Sequence, residues 1–255
     1  MAKGVVGAQL YTARDYCKTV KDIAETAKKV ADIGYTAVQI SAFGPADPAE
    51  VGKIMADNGL TIASSHTSWT RFQQELDKVI EEHLLWKCPH PAIGGLPVEY
   101  FSADGVKRFV DELGPITDKL SQAGMDFSYH NHNHEFAKHG GVRWIDTLFS
   151  TAPAGMKFEI DTYWVQAGGA DPVAWVSKCA GREPLLHLKD MVILPTREVR
   201  YAEIGEGNLN WELILPAAHR SGVEFYLVEQ DLTYERTPFE SLEISYRNLV
   251  KMGLH

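Results

Sequence analysis

Short apolar runs alternate with longer amphipathic ones along the chain, and this alternation predicts its elements in order. "VVGAQLY" has the compact apolar character of a buried strand. "TVKDIAETAKKVADIG" has apolar positions at helical spacing, with Gly34 placed to end it. The strand "YTAVQIS" precedes "DPAEVGKIMADNG", a helix with Asp47 as its cap, Pro48 at its first position and Gly59 beyond its end. "LTIASSH" predicts a third strand and "FQQELDKVIEEHLLWK" a third helix. "PAIGGLP" predicts a fourth strand, ahead of a helix around "ADGVKRFVDELGPITDKLSQAG". "MDFSYHNH", a helix near "GGVRWIDTLFSTA" and the strand "MKFEID" continue the series. A helix around "DPVAWVSKCA", the strand "PLLHLKD", the helix "NWELILPAAHRSG", the strand "VEFYLVE" and a closing helix "PFESLEISYRNLVKMG" complete it.

Roughly eight strand–helix units in about 250 residues favour a closed (β/α)₈ barrel with parallel strands and crossover helices. No Ser/Gly-rich linker divides the chain, so residues 1–255 are expected to form a single barrel domain. No GxGxxG follows the first strand, which disfavours an open dinucleotide-binding sheet.

Composition narrows the partners. The 255 residues are 45% hydrophobic with a formal net charge of −9. That balance supports a substantial core and argues against nucleic acid or an anionic membrane as the main partner. Cys17, Cys88 and Cys179 are far apart and read as buried thiols. No signal peptide is evident in "MAKGVVGAQLY" and no apolar run is long enough to span a membrane, so the expected location is cytoplasmic. The apolar stripe of the last helix suits packing on the barrel or a homodimer contact equally well. "KCPHPAIGGLPVEYF", with its prolines and aromatics, suits a lid or a subunit contact.

Active sites of such barrels lie at the C-terminal ends of the strands, and polar residues concentrate there. They are His66 on the third strand, His130 and His132 on the fifth, Glu159 and Asp161 on the sixth, His187, Lys189 and Asp190 on the seventh, and Glu229 with Asp231 on the eighth. In "SYHNHNHEF", strand alternation would point His130, His132 and His134 to one face. His134 and His139 fall in the following loop and read as solvated or lid residues. His130, Asp161, His187 and Glu229 form a set of two imidazoles and two carboxylates. That set suits Mn²⁺, Zn²⁺, Co²⁺ or Fe²⁺ better than Mg²⁺, with room left for substrate.

Each residue also has a structural reading. His130 and His132 could form a hydrogen-bonded polar layer, Asp161 could cap the helix beginning "DTYW", and His187 could be a satisfied core histidine. Lys189 could neutralise Asp190. Glu229 is the hardest to explain that way, because a carboxylate ending an apolar strand is costly to bury unpaired.

The chain resembles the xylose isomerase-like TIM barrels, the sugar phosphate isomerase/epimerase group that also includes inosose dehydratases and endonuclease IV. "GAQLYTARD", "YHNHNHEF", "FEIDTYWVQAGGADP", "LLHLKDM", "EIGEGNLNW" and "LVEQD" carry the resemblance. It implies that Asp161, His187 and Glu229 are metal ligands, with His130 standing where the epimerases usually have a glutamate. The "YHNH" strand is similar to the inosose dehydratase and keto-sugar-processing branch. The function implied is a metal-dependent isomerase or epimerase of a keto-sugar or related polyol, working by proton abstraction next to a carbonyl through a metal-stabilised enediolate. A dehydratase or lyase of a keto-sugar or inosose is the alternative, and a non-catalytic barrel is a further one. Endonuclease chemistry needs more ligands, and Trp164 stands where that branch has a histidine.

With an imidazole replacing one carboxylate, the base is sought among Glu159, His132 and Lys189, with Lys189 able to serve if its pKa is lowered by desolvation near the metal, and Glu229 is expected to be catalytic as well as a ligand. His66, Trp164 and Arg14 are expected to contact substrate, and Tyr11, Phe43 and Trp69 to offer apolar walls. Arg14, Arg197 and Arg200 could bind a phosphate, but an unphosphorylated substrate is expected.

Overall fold

The computed structural model describes residues 4–254. Residues 1–3 and 255, part of the domain span and leader reading above, lie outside it. Eight parallel strands close into a barrel: β1 (Val5–Gln9), β2 (Ala37–Ile40), β3 (Thr61–His66), β4 (His90–Ile93), β5 (Phe127–His130), β6 (Met156–Asp161), β7 (Leu185–Leu188) and β8 (Phe225–Val228). Each strand pairs with its neighbours in sequence, and β1 closes the ring by pairing with β8 in the register Val5↔Phe225. The helices on the outside include α1 (Val20–Ile33), α2 (Pro48–Asp57), α3 (Trp69–Gln74), α4 (Leu76–Trp86), α5 (Ala103–Gln122), α6 (Trp144–Thr151), α7 (Thr162–Ala167), α8 (Pro172–Lys178), α9 (Trp211–Ser221) and α10 (Pro238–Lys251).

Local chemistry sets several helix boundaries where the sequence predicts them. Thr19 and Asp22 form a capping box on α1, which ends at Gly34 with φ +122°. Asp47 accepts from the Ala49 and Glu50 amides, with Pro48 in the first turn of α2. The third predicted helix is instead two, broken at Glu75, whose φ of −133° leaves the helical region. α7 is an additional short helix, begun by Asp161. Two hairpin ribbons were also not foreseen: Lys138–His139 with Val142–Arg143, and Asp190–Ile193 with Val199–Ala202.

The period-two alternation of the strands separates two apolar regions. Leu186, Leu188, Tyr226, Val228, Val38 and Ile40 pack outward against the helices in the main core. Ala37, Ala63, Leu185 and Leu227 form a small separate cluster. Two residues further along the same strands come Gln39, His187 and Glu229, so the polar residues stand above an apolar floor.

His83 of α4 is fully buried; its ring lies 2.6 Å from the Val79 carbonyl and 2.7 Å from the Ser65 hydroxyl. Burial pushes its pKa down from 6.5 to about 4. The unfolded chain therefore binds a proton more readily than the folded one. His83's contribution is intact above pH 6.5 and is lost as pH falls through about 4. The expected loss across that window is about 3 kcal/mol. Urea unfolding of wild type and His83→Gln between pH 7 and 4 checks this; equal slopes for the two proteins would refute it.

Candidate active site at the barrel mouth

Adjacent strands deliver four donors to one point. His130 ends β5 and Asp161 ends β6, while His187 on β7 is in register with Asp161 and Glu229 follows β8 directly. One donor atom from each of His130, Asp161, His187 and Glu229 lies within 4.8 Å of the others. His187 Nδ1 is 3.0 Å from Glu229 Oε2 and 3.7 Å from Asp161 Oδ2. His130 Nδ1 and Asp161 Oδ2 are buried with no hydrogen-bond partner among the described residues. Buried polar atoms are ordinarily paired, so two unpaired donors aimed into such a cluster fit a divalent cation.

The charges fit it too. Burial works against a charge on His187, but Glu159 and Glu229 outweigh it and push its pKa well above the ordinary histidine range. Burial alone would raise Glu229, yet Lys189 and His187 hold it well below the usual carboxylate range. His130 moves the other way: burial and the neighbouring imidazoles His187, His132 and His66 keep it neutral, as a ligand must be.

Asp161 takes the capping role with one of its two oxygens. Oδ1 accepts from the Trp164 amide at 2.9 Å and caps α7, which leaves Oδ2 for the cluster. The proposed Lys189–Asp190 neutralisation does not occur. Lys189 Nζ lies 2.8 Å from Glu229, 3.1 Å from Asp231 and 3.4 Å from Asp161. Desolvation would lower its pKa, but these three carboxylates raise it well above the ordinary lysine value. The direction is opposite to the lowering expected of a base.

Asp190 has a different task. Its oxygens accept from the amides of Met191, Gly205, Gly207 and Leu209 and from Trp211 Nε1 at 2.7–3.2 Å. They tie the "GEGNLNW" segment beneath the rim. A Cβ on Gly207 would sit 2.3 Å from Asp190 Oδ1, so that position admits only glycine without rearrangement.

Glu159 does not line the cavity as expected. It is fully buried, accepting from Gln39 Nε2 and His66 Nε2, each at 2.7 Å. Burial would raise it, but His187 and His66 hold it at about 2.

Above the cluster opens a cavity of about 670 Å³. His66, His130, His132, Trp164, Lys189, Glu229 and Arg14 all line it, with Tyr11, Tyr201 and Asp231. The three histidines of the fifth strand are neighbours for another reason than strand alternation, because β5 stops at His130. The turn at Asn131 brings the His132 ring to 4.9 Å from His130 and stacks it 5.6 Å from His134. Burial and then Lys189 lower His132 to about 4. His134 is exposed, its ring edge-on to Phe101. Among the expected walls, Trp69 belongs to the core, with Nε1 donating to Tyr100 Oη and its ring 4.9 Å from Phe109. Phe43 packs against the same core. In the loop after β4, Gly94 lines the cavity, and a Cβ there would meet His66 Nδ1 at 2.7 Å.

Sequence reasoning passed over Gln9, Gln39 and Asn131, all fully buried. Asn131 Oδ1 accepts from the Asp161 amide at 3.0 Å and so locks two strand ends together. The available signal was an amide side chain interrupting otherwise apolar strands, in "GAQLY" and "AVQIS".

A search of curated proteins found no match. Among solved structures, the chain is similar to a sugar phosphate isomerase/epimerase from Parabacteroides distasonis ATCC 8503, at 24% identity over 98% of this chain and 94% of that one, with a TM-score of 0.83. It is also similar to an L-ribulose 3-epimerase, at 16% identity over 98% and 94% of the two chains with a TM-score of 0.76. A probable 3-DHS dehydratase from Bacillus anthracis shares 13% identity over 96% and 98%, with a TM-score of 0.73. At these identities the likeness is one of fold. The xylose isomerase-like TIM barrel family matches in sequence over residues 27–232, and the chain belongs to that family.

Proposed function

We propose that this chain is a divalent-metal-dependent isomerase or epimerase of an unphosphorylated keto-sugar or cyclitol, acting by removal of a proton next to a carbonyl. The observation that carries this reading is the convergence of His130, Asp161, His187 and Glu229 within 4.8 Å at the base of a polar cavity. These four residues would hold the ion, with Mn²⁺ or Zn²⁺ suiting the mixed nitrogen and oxygen set. An ion bound there supplies Lewis-acid polarisation of a carbonyl and an adjacent hydroxyl, which acidifies the carbon-bound proton between them.

His132 is the candidate base. It lines the cavity, neither ring nitrogen is engaged in a hydrogen bond among the described residues, and its lowered pKa leaves it unprotonated near neutral pH. Glu159 is enclosed beneath the mouth, and Lys189 Nζ is occupied by Glu229 and Asp231 at 2.8 and 3.1 Å. Trp164 and Tyr11 offer faces to the apolar side of a sugar ring. The two lining side chains with a permanent positive charge are already engaged. Arg14 Nη1 donates to the carbonyls of Tyr11 and Asp231, and Lys189 is surrounded by carboxylates. A phosphate would add negative charge to a mouth that already holds Glu229 and Asp231.

One observation favours a dehydratase. Lys189 is an ammonium at the cavity wall and could protonate a departing hydroxyl.

The test is incubation of manganese- or zinc-loaded protein in D₂O with unphosphorylated ketopentoses, ketohexoses and inososes. The expected result is deuterium at the carbon next to the carbonyl, with turnover about 10²–10⁴-fold lower in His132→Gln. Loss of water in place of exchange would establish the dehydratase. Neither exchange nor dehydration with any of these substrates would reject the reading.

A further inference from the structure

Beneath the donor cluster, six polar side chains, His187 of the cluster among them, are joined by hydrogen bonds, and every one of them is buried or nearly so. Gln39 Oε1 lies 2.6 Å from His187 Nε2 and 2.8 Å from Gln9 Nε2, while Gln39 Nε2 lies 2.7 Å from Glu159 Oε1 and 2.9 Å from Ser64 Oγ. Gln9 Oε1 accepts from the Tyr11 amide at 2.9 Å. Glu159 Oε2 lies 2.7 Å from His66 Nε2.

Two fixed points give this network a single polarity. A carboxylate can only accept, so the Gln39 group facing Glu159 must be its NH₂, and its carbonyl oxygen must face His187. A backbone amide can only donate, so Gln9 must turn its oxygen to Tyr11 and its NH₂ to Gln39. The Gln39 oxygen is thus an acceptor on both sides. His187 Nε2 must carry a proton to meet it.

We propose that Glu159 and Gln39 are positioning residues that fix a proton on His187 Nε2 and thereby reserve Nδ1 for the cation. Nδ1 is the nitrogen that faces Asp161 and Glu229, at 3.7 and 3.0 Å. The same carboxylate requires a proton on His66 Nε2, which leaves His66 Nδ1 to accept from Gln9 Nε2 at 3.3 Å. The lock also decides between two overlapping groups of donors. His66, His130, Glu159 and His187 lie close enough together to hold an ion of their own. In that lower group, Glu159 and His187 Nε2 are already spent on Gln39, so the ion belongs to the upper group. A buried carboxylate that would otherwise be a costly choice at this depth has a purpose, because its obligate acceptor and the Tyr11 amide at the other end together hold the direction of the chain.

The inference rests on the proposed metal-dependent function, and the test separates the two. Zn²⁺ is titrated into ¹⁵N-histidine-labelled protein, its affinity is measured by competition with a chelator, and the His187 ring resonances are read by long-range ¹H–¹⁵N correlation. The wild type should bind one zinc through His187 Nδ1 while Nε2 stays protonated. Glu159→Gln keeps volume and hydrogen-bonding capacity but replaces the obligate acceptor by an amide, leaving the Tyr11 amide alone to fix the polarity. Gln39→Met deletes the acceptor. Both should weaken zinc about 10–100-fold, and the Nε2 proton should lose its protected, hydrogen-bonded signature.

Unchanged zinc affinity and an unchanged His187 pattern in Glu159→Gln would overturn the lock while leaving the metal site standing. That variant decides the matter if Gln39→Met does not fold. Coordination through Nε2 in the wild type would overturn it as well. No zinc bound by the wild type would instead refute the metal reading on which the inference stands.

Discussion

Replacing Glu229 by glutamine is expected to abolish retention of a divalent ion, and with it turnover by about 10³-fold, while leaving the fold intact. Four carboxylates (Glu159, Asp161, Glu229 and Asp231) surround Lys189 and His187. These carboxylates outnumber the two basic side chains among them, a balance that favours a bound cation. Glu229 is also the buried ion-pair partner of Lys189 and His187, so the metal-free variant should unfold cooperatively but at a lower temperature than the metal-free wild type. The substitution also removes an anionic ligand that no neighbour replaces, since Asp161 has already given one oxygen to the cap of α7. Metal content by mass spectrometry after dialysis, together with thermal unfolding, separates the two effects. One ion per chain retained in Glu229→Gln would place the ion elsewhere, the nearby His132, His134 and Glu135 group being the first site to examine.

The second large effect is one of stability. Asp190→Asn is expected to cost about 3–5 kcal/mol, although the side chains are the same size and the residue does not line the cavity. All five partners of Asp190 are donors: Met191 N and Leu209 N on one oxygen, and Gly205 N, Gly207 N and Trp211 Nε1 on the other. Whichever way the asparagine turns, its NH₂ confronts at least two N–H groups in a buried site and leaves them unpaired. At this chain length the loss corresponds to a fall of about 10 °C or more in Tm. The loop it anchors leads into α9 through Trp211, so amide exchange should accelerate across residues 203–211. A Tm within about 2 °C of wild type would mean that the loop is held by its backbone contacts alone.

The barrel was legible because its signal is local and repeated. Each apolar run and each amphipathic segment reports its own period, and with one strand after another of the same kind the closed topology was the economical solution. Asp161, His187 and Glu229 were legible for a related reason: a charged or imidazole side chain ending an apolar strand has few inexpensive explanations. His132 was placed at the site for the wrong cause, since strand alternation does not continue past His130. Glu159 was recognised as unusual but placed in the cavity, and Lys189 was placed at the cavity without its carboxylate partners. Their environments depend on which side chains other strands bring to them, and those contacts span 93 and 42 positions in sequence.

By itself, then, the sequence determined the order of elements, the closure of eight strands and the identity of the donors that end them, because each of these follows from short-range periodicity and from the cost of burying charge. Tertiary structure alone decided the proton arrangement. That Gln39 sits between His187 and Glu159, that Lys189 faces Glu229 and Asp231 with Asp190 turned away to Gly205, Gly207 and Trp211, and that Asp161 caps a helix with one oxygen and turns the other to the donor cluster are results of barrel closure. The physical reason is that hydrogen-bond polarity and electrostatic balance are set by neighbours in space at about 3 Å, and closure brings together residues that no local pattern relates.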